Sequence, residues 1–262
     1  MKSFNFLGRV SGAGLLALLI GSATVFGQVP STADKSAAGP GSAPGMNAAM
    51  IRFFGSNTNF ISKAEVRVLD KNQKETTAMN MGFQMLAGKM RVDINMAEVK
   101  SKEMSPEFAG MMKQMGMDQM STILLPEQKE IITIYPGLKS YALTPMPKEE
   151  ADAAAMTYKL EKSRIGKETV DGHSCEKDNV TVTDTKGNQQ HAVVWYATDL
   201  KEFPVQMQIP DDDSTLIMKF KDVKLGRPET SQFQAPAGLA KYDDVAALMS
   251  DAVTKKMGMA PK

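Results

Sequence analysis

The chain has 262 residues, room for one large β domain or two small ones. Its 31 basic and 30 acidic side chains nearly cancel, which leaves neither a phosphate-binding footprint nor an acidic tail and excludes nucleic acid as an expected partner. Methionine is the compositional anomaly, with 21 residues against a single Trp and a single Cys.

Residues 1–27 read as an export signal: Lys2 and Arg9 supply positive charge, Ala13 to Ile20 a short apolar run, and the cut follows Val25-Phe26-Gly27. The run is too short to span a bilayer, and no Cys stands near the cut to carry a lipid anchor. The mature chain keeps 29 basic and 30 acidic side chains and is expected in the periplasm or secreted, with no transmembrane span. Residues 28–45, rich in Ser, Ala, Gly and Pro, cannot bury enough apolar surface to order themselves and read as a flexible linker. A single domain is expected over residues 46–262.

Asn47 is placed to cap a short helix with Ala49, Met50, Phe53 and Phe54 on one face. Ile61 to Leu69 predicts a strand that ends at the turn Asp70-Lys71-Asn72-Gln73. A hairpin follows. Met79, Met81, Phe83 and Met85 alternate with polar residues, and after Leu86-Ala87-Gly88-Lys89 so do Met90, Val92, Ile94 and Met96. Closing the loop pairs Met85 with Met90, Phe83 with Val92, Met81 with Ile94 and Met79 with Met96. One face is then apolar, while Asn80, Gly82, Gln84, Arg91, Asp93 and Asn95 share the wet one.

Ser105-Pro106 starts a short helix, on which Phe108, Met111, Met112 and Met115 form one stripe. Gly110 and Gly116 weaken it, so it is expected to stay helical only while docked. Strands resume at 121–125, 130–135 and 139–143, with a loop and helical turn over 145–157. Further strands are predicted at 158–165, 175–183, 191–197, 204–209 and 216–220, and an amphipathic helix at 242–257. These elements predict a mainly β, α+β fold: a curved antiparallel half-barrel of about ten or eleven strands, with helices covering its concave face.

Catalytic signatures are absent. The chain has two His and no paired-carboxylate motif, phosphate loop or HExxH, and Asp211-Asp212-Asp213 lacks calcium-loop spacing. Gly172-His173-Ser174-Cys175 sets a thiol beside an imidazole in sequence only, and Cys175 is expected to be buried on a strand. No catalytic residue, metal ligand or cofactor is expected. Eleven of the 21 Met lie between Met79 and Met120, and three readings of them stand: core, lining for a flexible apolar ligand, or soft ligands for copper.

Several short patterns resemble the DUF4412 family, within the LolA/LolB-like superfamily of outer-membrane lipoprotein carriers, over about residues 60–242. They are Gly88-Lys89-Met90-Arg91-Val92-Asp93, the strand pair around Ile131 to Tyr141, and Gly166 to Cys175 with Val193 to Leu200 and Phe203-Pro204. Phe220-Lys221-Asp222-Val223 and Phe233 to Gly238 complete them. The resemblance implies a half-open barrel whose apolar cavity takes acyl chains under a helical lid. Met79, Met81, Phe83, Met85, Met90, Val92, Ile94 and Met96 would line the cavity, and Phe108, Met111, Met112 and Met115 the lid. An Arg on an early strand helps hold the lid in the carriers; Arg91 falls on the polar face, so that role is not transferred. The expectation is an exported, non-enzymatic protein for a lipid-like ligand, with an envelope protein as the second class of partner. The alternatives are a periplasmic copper-binding protein using the Met cluster and a structural or envelope-stress module without a ligand.

Overall fold

A computed structural model describes residues 46–102, 104–211 and 213–256; the expected export signal and linker lie outside the described residues. Helix α1 (Met46–Phe53) starts one residue before Asn47, which is therefore helical and not a cap. The strand β1 (Asn59–Asp70) turns on the Asp70 carboxylate, which accepts from the backbone N–H groups of Asn72 and Lys74, and returns as β2 (Glu75–Leu86). Ala87 and Gly88 then close a two-residue loop into β3 (Lys89–Asn95), with φ of +47° and +86°. Positive φ at both central residues is what a type I′ hairpin turn requires. The register Met85–Met90, Phe83–Val92 and Met81–Ile94 follows as the alternation predicts.

The expected Met79–Met96 pair does not form. The Asn95 side chain accepts from the Ala97 N–H and starts a 3-10 turn over Met96–Glu98, which ends β3. The chain rejoins the sheet as the two-residue strand β4 (Lys100–Ser101), beside Thr77 and Ala78 of β2.

After helix α2 (Pro106–Met115), strands β5 (Gln119–Leu125), β6 (Glu130–Tyr135) and β7 (Ser140–Pro145) extend this side of the sheet. Helix α3 (Lys148–Ala155) carries the chain to the opposite edge. From there β8 (Tyr158–Val170), β9 (His173–Asp184), β10 (Gln189–Ala197), β11 (Phe203–Pro210) and β12 (Ser214–Leu225) work back until β12 pairs with β1. The exposed edge β8 carries Lys159, Lys162, Arg164 and Lys167, the kind of charge that discourages strand addition. The three-residue β13 (Ala240–Tyr242) departs from the expected antiparallel order by lying parallel to β7, and α4 (Val245–Lys256) follows it. The result is a mainly β fold, a curved, open sheet of half-barrel form with a few helices.

Register aligns an apolar row across five strands, Val194–Met207–Met218–Val66–Met79, on the inner face. Ala49, Met50 and Phe53 of α1 are buried in the same core. Phe54, just beyond the helix, meets Phe60, Phe83, Phe203 and Phe220 with ring centroids 4.8–5.8 Å apart. Each such ring or thioether removed from water contributes about 1.5–3 kcal/mol before ordering costs.

The outer face is wet only in part. Ile123, Leu125, Ile132 and Ile134 face outward from β5 and β6 and pack with Leu86 under Phe233. Arg91 holds that cover down: its guanidinium donates to the Gln232 carbonyl at 2.9 Å and to Ser121 Oγ at 3.1 Å while paired with Asp93.

Candidate functional site

The hairpin face singled out by its alternation is the centre of the core. Met79, Met81, Phe83, Met85, Met90, Val92 and Ile94 are each 3% exposed or less. Met96 is half-buried against the same core from the turn that follows β3. The Phe83–Met85–Met90–Val92 end lies in the phenylalanine region, since β1 pairs Phe60 with Met85 and Phe83 touches Phe54, Phe60 and Phe220. The Met79–Met81–Ile94–Met96 end adjoins the 3-10 turn on which α2 rests.

Helix α2 is built as the residues require. Ser105 accepts from the Phe108 N–H, Pro106 occupies the first turn, and Gly116 stops the helix at φ +74° with its N–H on the Lys113 carbonyl. The helix buries none of its residues. Met112 and Met115 pack partly against the core, Phe108 is half-buried, and Met111 is 46% exposed. The four-residue stripe is thus split: Met111 lies on the solvent side, and Ala109 shares the half-buried flank with Met112 and Met115. At the far end the backbone of Gly116 lies against that of Gly137, so close that a Cβ on Gly137 would stand 2.4 Å from the Gly116 oxygen.

Under the first turn of α2 lies an open cavity of about 490 Å³, between β2, β4 and the 3-10 turn. Val99, Met104 and Ala109 supply apolar lining, and Lys100, Lys102 and Thr77 polar lining. Sequence reasoning missed it because it depends on where β3 stops and on a two-residue strand too short to show a period.

No group of three or more His, Cys, Asp or Glu able to hold a metal occurs among the described residues. His173 and Cys175 do not form a thiol–imidazole pair. The His173 ring sits 2.7 Å from Asp199, and the imidazole holds the Asp199 carboxyl below the usual carboxylate range. Cys175 is buried and donates to the His173 carbonyl at 3.3 Å, and burial pushes its thiol pKa up, away from nucleophilic thiolate. No helix among the described residues is long and apolar enough to cross a membrane.

No curated protein sequence matches the chain. A LolA superfamily protein from Nitrosomonas europaea is 8% identical, over 74% of this chain and 99% of its own, with a TM-score of 0.40. LprF from Mycobacterium bovis is 14% identical, over 75% and 100%, with a TM-score of 0.38. The lipoprotein LppX from Mycobacterium tuberculosis is 12% identical, over 70% and 97%, with a TM-score of 0.36. Such low scores bear on nothing this chain binds. One family model, described as a domain of unknown function, DUF4412, matches residues 75–203, from the first residue of β2 to the first of β11. That match spans just under half of the 262-residue chain, and over it the chain is similar to the DUF4412 family.

Proposed function

We propose that this chain is an exported, non-enzymatic binding protein that holds an acyl chain or similar amphiphile between the inner face of its half-barrel and α2. One observation carries the reading: an apolar sheet face is covered at one place by a Met-bearing helix that buries none of its own residues. Elements with so little buried surface are the ones that open at low cost. A ligand chain gains about 0.8 kcal/mol per CH₂ removed from water, offset by lifting Met112 and Met115 from the same surface. The ligand lies at the Met79–Met81–Ile94–Met96 end, where thioethers re-pack around flexible chains. The phenylalanine end stays core. With the export signal read from residues 1–27, the ligand is met in the cell envelope or outside it, and an envelope protein delivers or receives it.

The test is native mass spectrometry of the exported chain purified without detergent, with organic extraction of what travels with it. A lipid released on denaturation is expected. A bare mass, with no uptake when fatty acid or lipopeptide is titrated in, would overturn the proposal.

A further inference from the structure

We propose that Asp178 and Tyr196, on the inner face near the β8 edge, bind a neutral sugar, a ligand whose hydroxyls both donate and accept. The inference goes beyond the acyl-chain reading and does not depend on it, since these strands lie on the far side of β1 from α2. Register carries the inner apolar row outward: Val194 stands opposite Asp178, and Asp178 opposite Arg164. The row thus ends in a carboxylate that is only 7% exposed. In the neighbouring row Glu176 pairs with Tyr196, which is buried. Asp178 Oδ1 and Tyr196 Oη are both sealed from solvent, and neither has a hydrogen-bond partner among the described residues.

A buried polar atom left unpaired costs stability, so two of them on one face call for a partner. The groups are neighbours: burial, and after it the Asp178 charge, push the Tyr196 phenol pKa up. One hydroxyl satisfies both, donating to the carboxylate and accepting from the phenol. The surrounding charges are of both signs, which favours neither a cation nor an anion. Lys162, Arg164 and Lys167 stand on β8, Glu176 on β9, and Glu202 close to Tyr196. Arg52 of α1 is drawn away to the Tyr158 ring and the Met156 carbonyl. The place of a cation over the Tyr196 ring is held by Lys162 Nζ, 3.6 Å from the centroid. Lys162 is exposed on the edge strand, so its side chain can swing out and leave the ring to the C–H face of a pyranose. The Arg164–Glu176 pair beside it then offers a donor and an acceptor to further hydroxyls.

Saturation-transfer NMR on the exported chain, titrated with methyl β-glucoside and with N-acetylglucosamine, tests the site. Transfer to the pyranose protons of at least one sugar is expected. Tyr196→Phe removes only the hydroxyl and should weaken that binding by about two- to tenfold. Asp178→Leu removes the charged acceptor and should weaken it by about tenfold or more. Lys162→Ala should bind at least as well as the parent. If Asp178→Leu does not fold, Tyr196→Phe decides. No transfer to either sugar in the parent chain, or transfer that a folded variant of Tyr196 or Asp178 leaves unchanged, would overturn the site and assign the two oxygens to a bridging water. Either result leaves the acyl-chain reading untouched.

Discussion

Met81 and Met111 show how little a residue's type says about its work. Both are thioethers within the Met-rich stretch, yet Met81 is 3% exposed in the main core and Met111 is 46% exposed. Met81→Asp buries a charge with no partner and is expected to cost about 4 kcal/mol or more. Met111→Asp should stay within about 0.5 kcal/mol. Urea unfolding midpoints of the two variants give the comparison, and equal shifts would mean the hairpin face is not core. Alternation made Met81 legible, because a period of two fixes a face before any partner is known. It did not reveal that Phe54, Phe60, Phe203 and Phe220 would meet over Phe83, since these rings come from distant segments and share no period. Arg91 was legible as outward-facing; that it ties down Gln232 depends on a contact across 141 residues.

Among the elements, α2 is one whose start and existence follow from sequence: the Ser-Pro start is a local signal, whereas Gly116, expected only to weaken the helix, is where it stops. Its docking is not local, and the helix presents Met112 and Met115 to the core without Met111. Besides that packing, a close backbone contact lies at one end, between Gly116 and Gly137. Gly137→Ala places a methyl 2.4 Å from the Gly116 oxygen, so the two backbones have to part, at about 1–3 kcal/mol. Amide hydrogen exchange should then speed up through Pro106–Met115 and stay unchanged in β5 and β6. Unaltered exchange in the helix would show that the glycine contact does not hold it.

Helix α3 links the two halves of the molecule and makes its stability depend on pH. Burial raises the Glu150 carboxyl pKa above its usual value. A carboxyl whose folded pKa is raised contributes stability that is fully present below the unfolded pKa, about 4, and lost as pH rises through the folded value. Glu150→Gln should therefore melt higher than the parent at pH 7 and match it near pH 3. A gain at pH 3 as large as at pH 7 would trace the effect to packing instead. The meander on each side of β1 was legible from alternating runs and turn residues; the order of the whole sheet was not, because no local pattern says that the first strand sits in the middle. That position has a kinetic side. Asn59–Asp70 of β1 pair with Ser214–Leu225 of β12, so the central seam closes only after most of the chain is available. Pairings of such long sequence separation fold slowly. A polypeptide threaded through a membrane pore before it folds is served by a delay of this kind, because its last strands must emerge before its first has both neighbours.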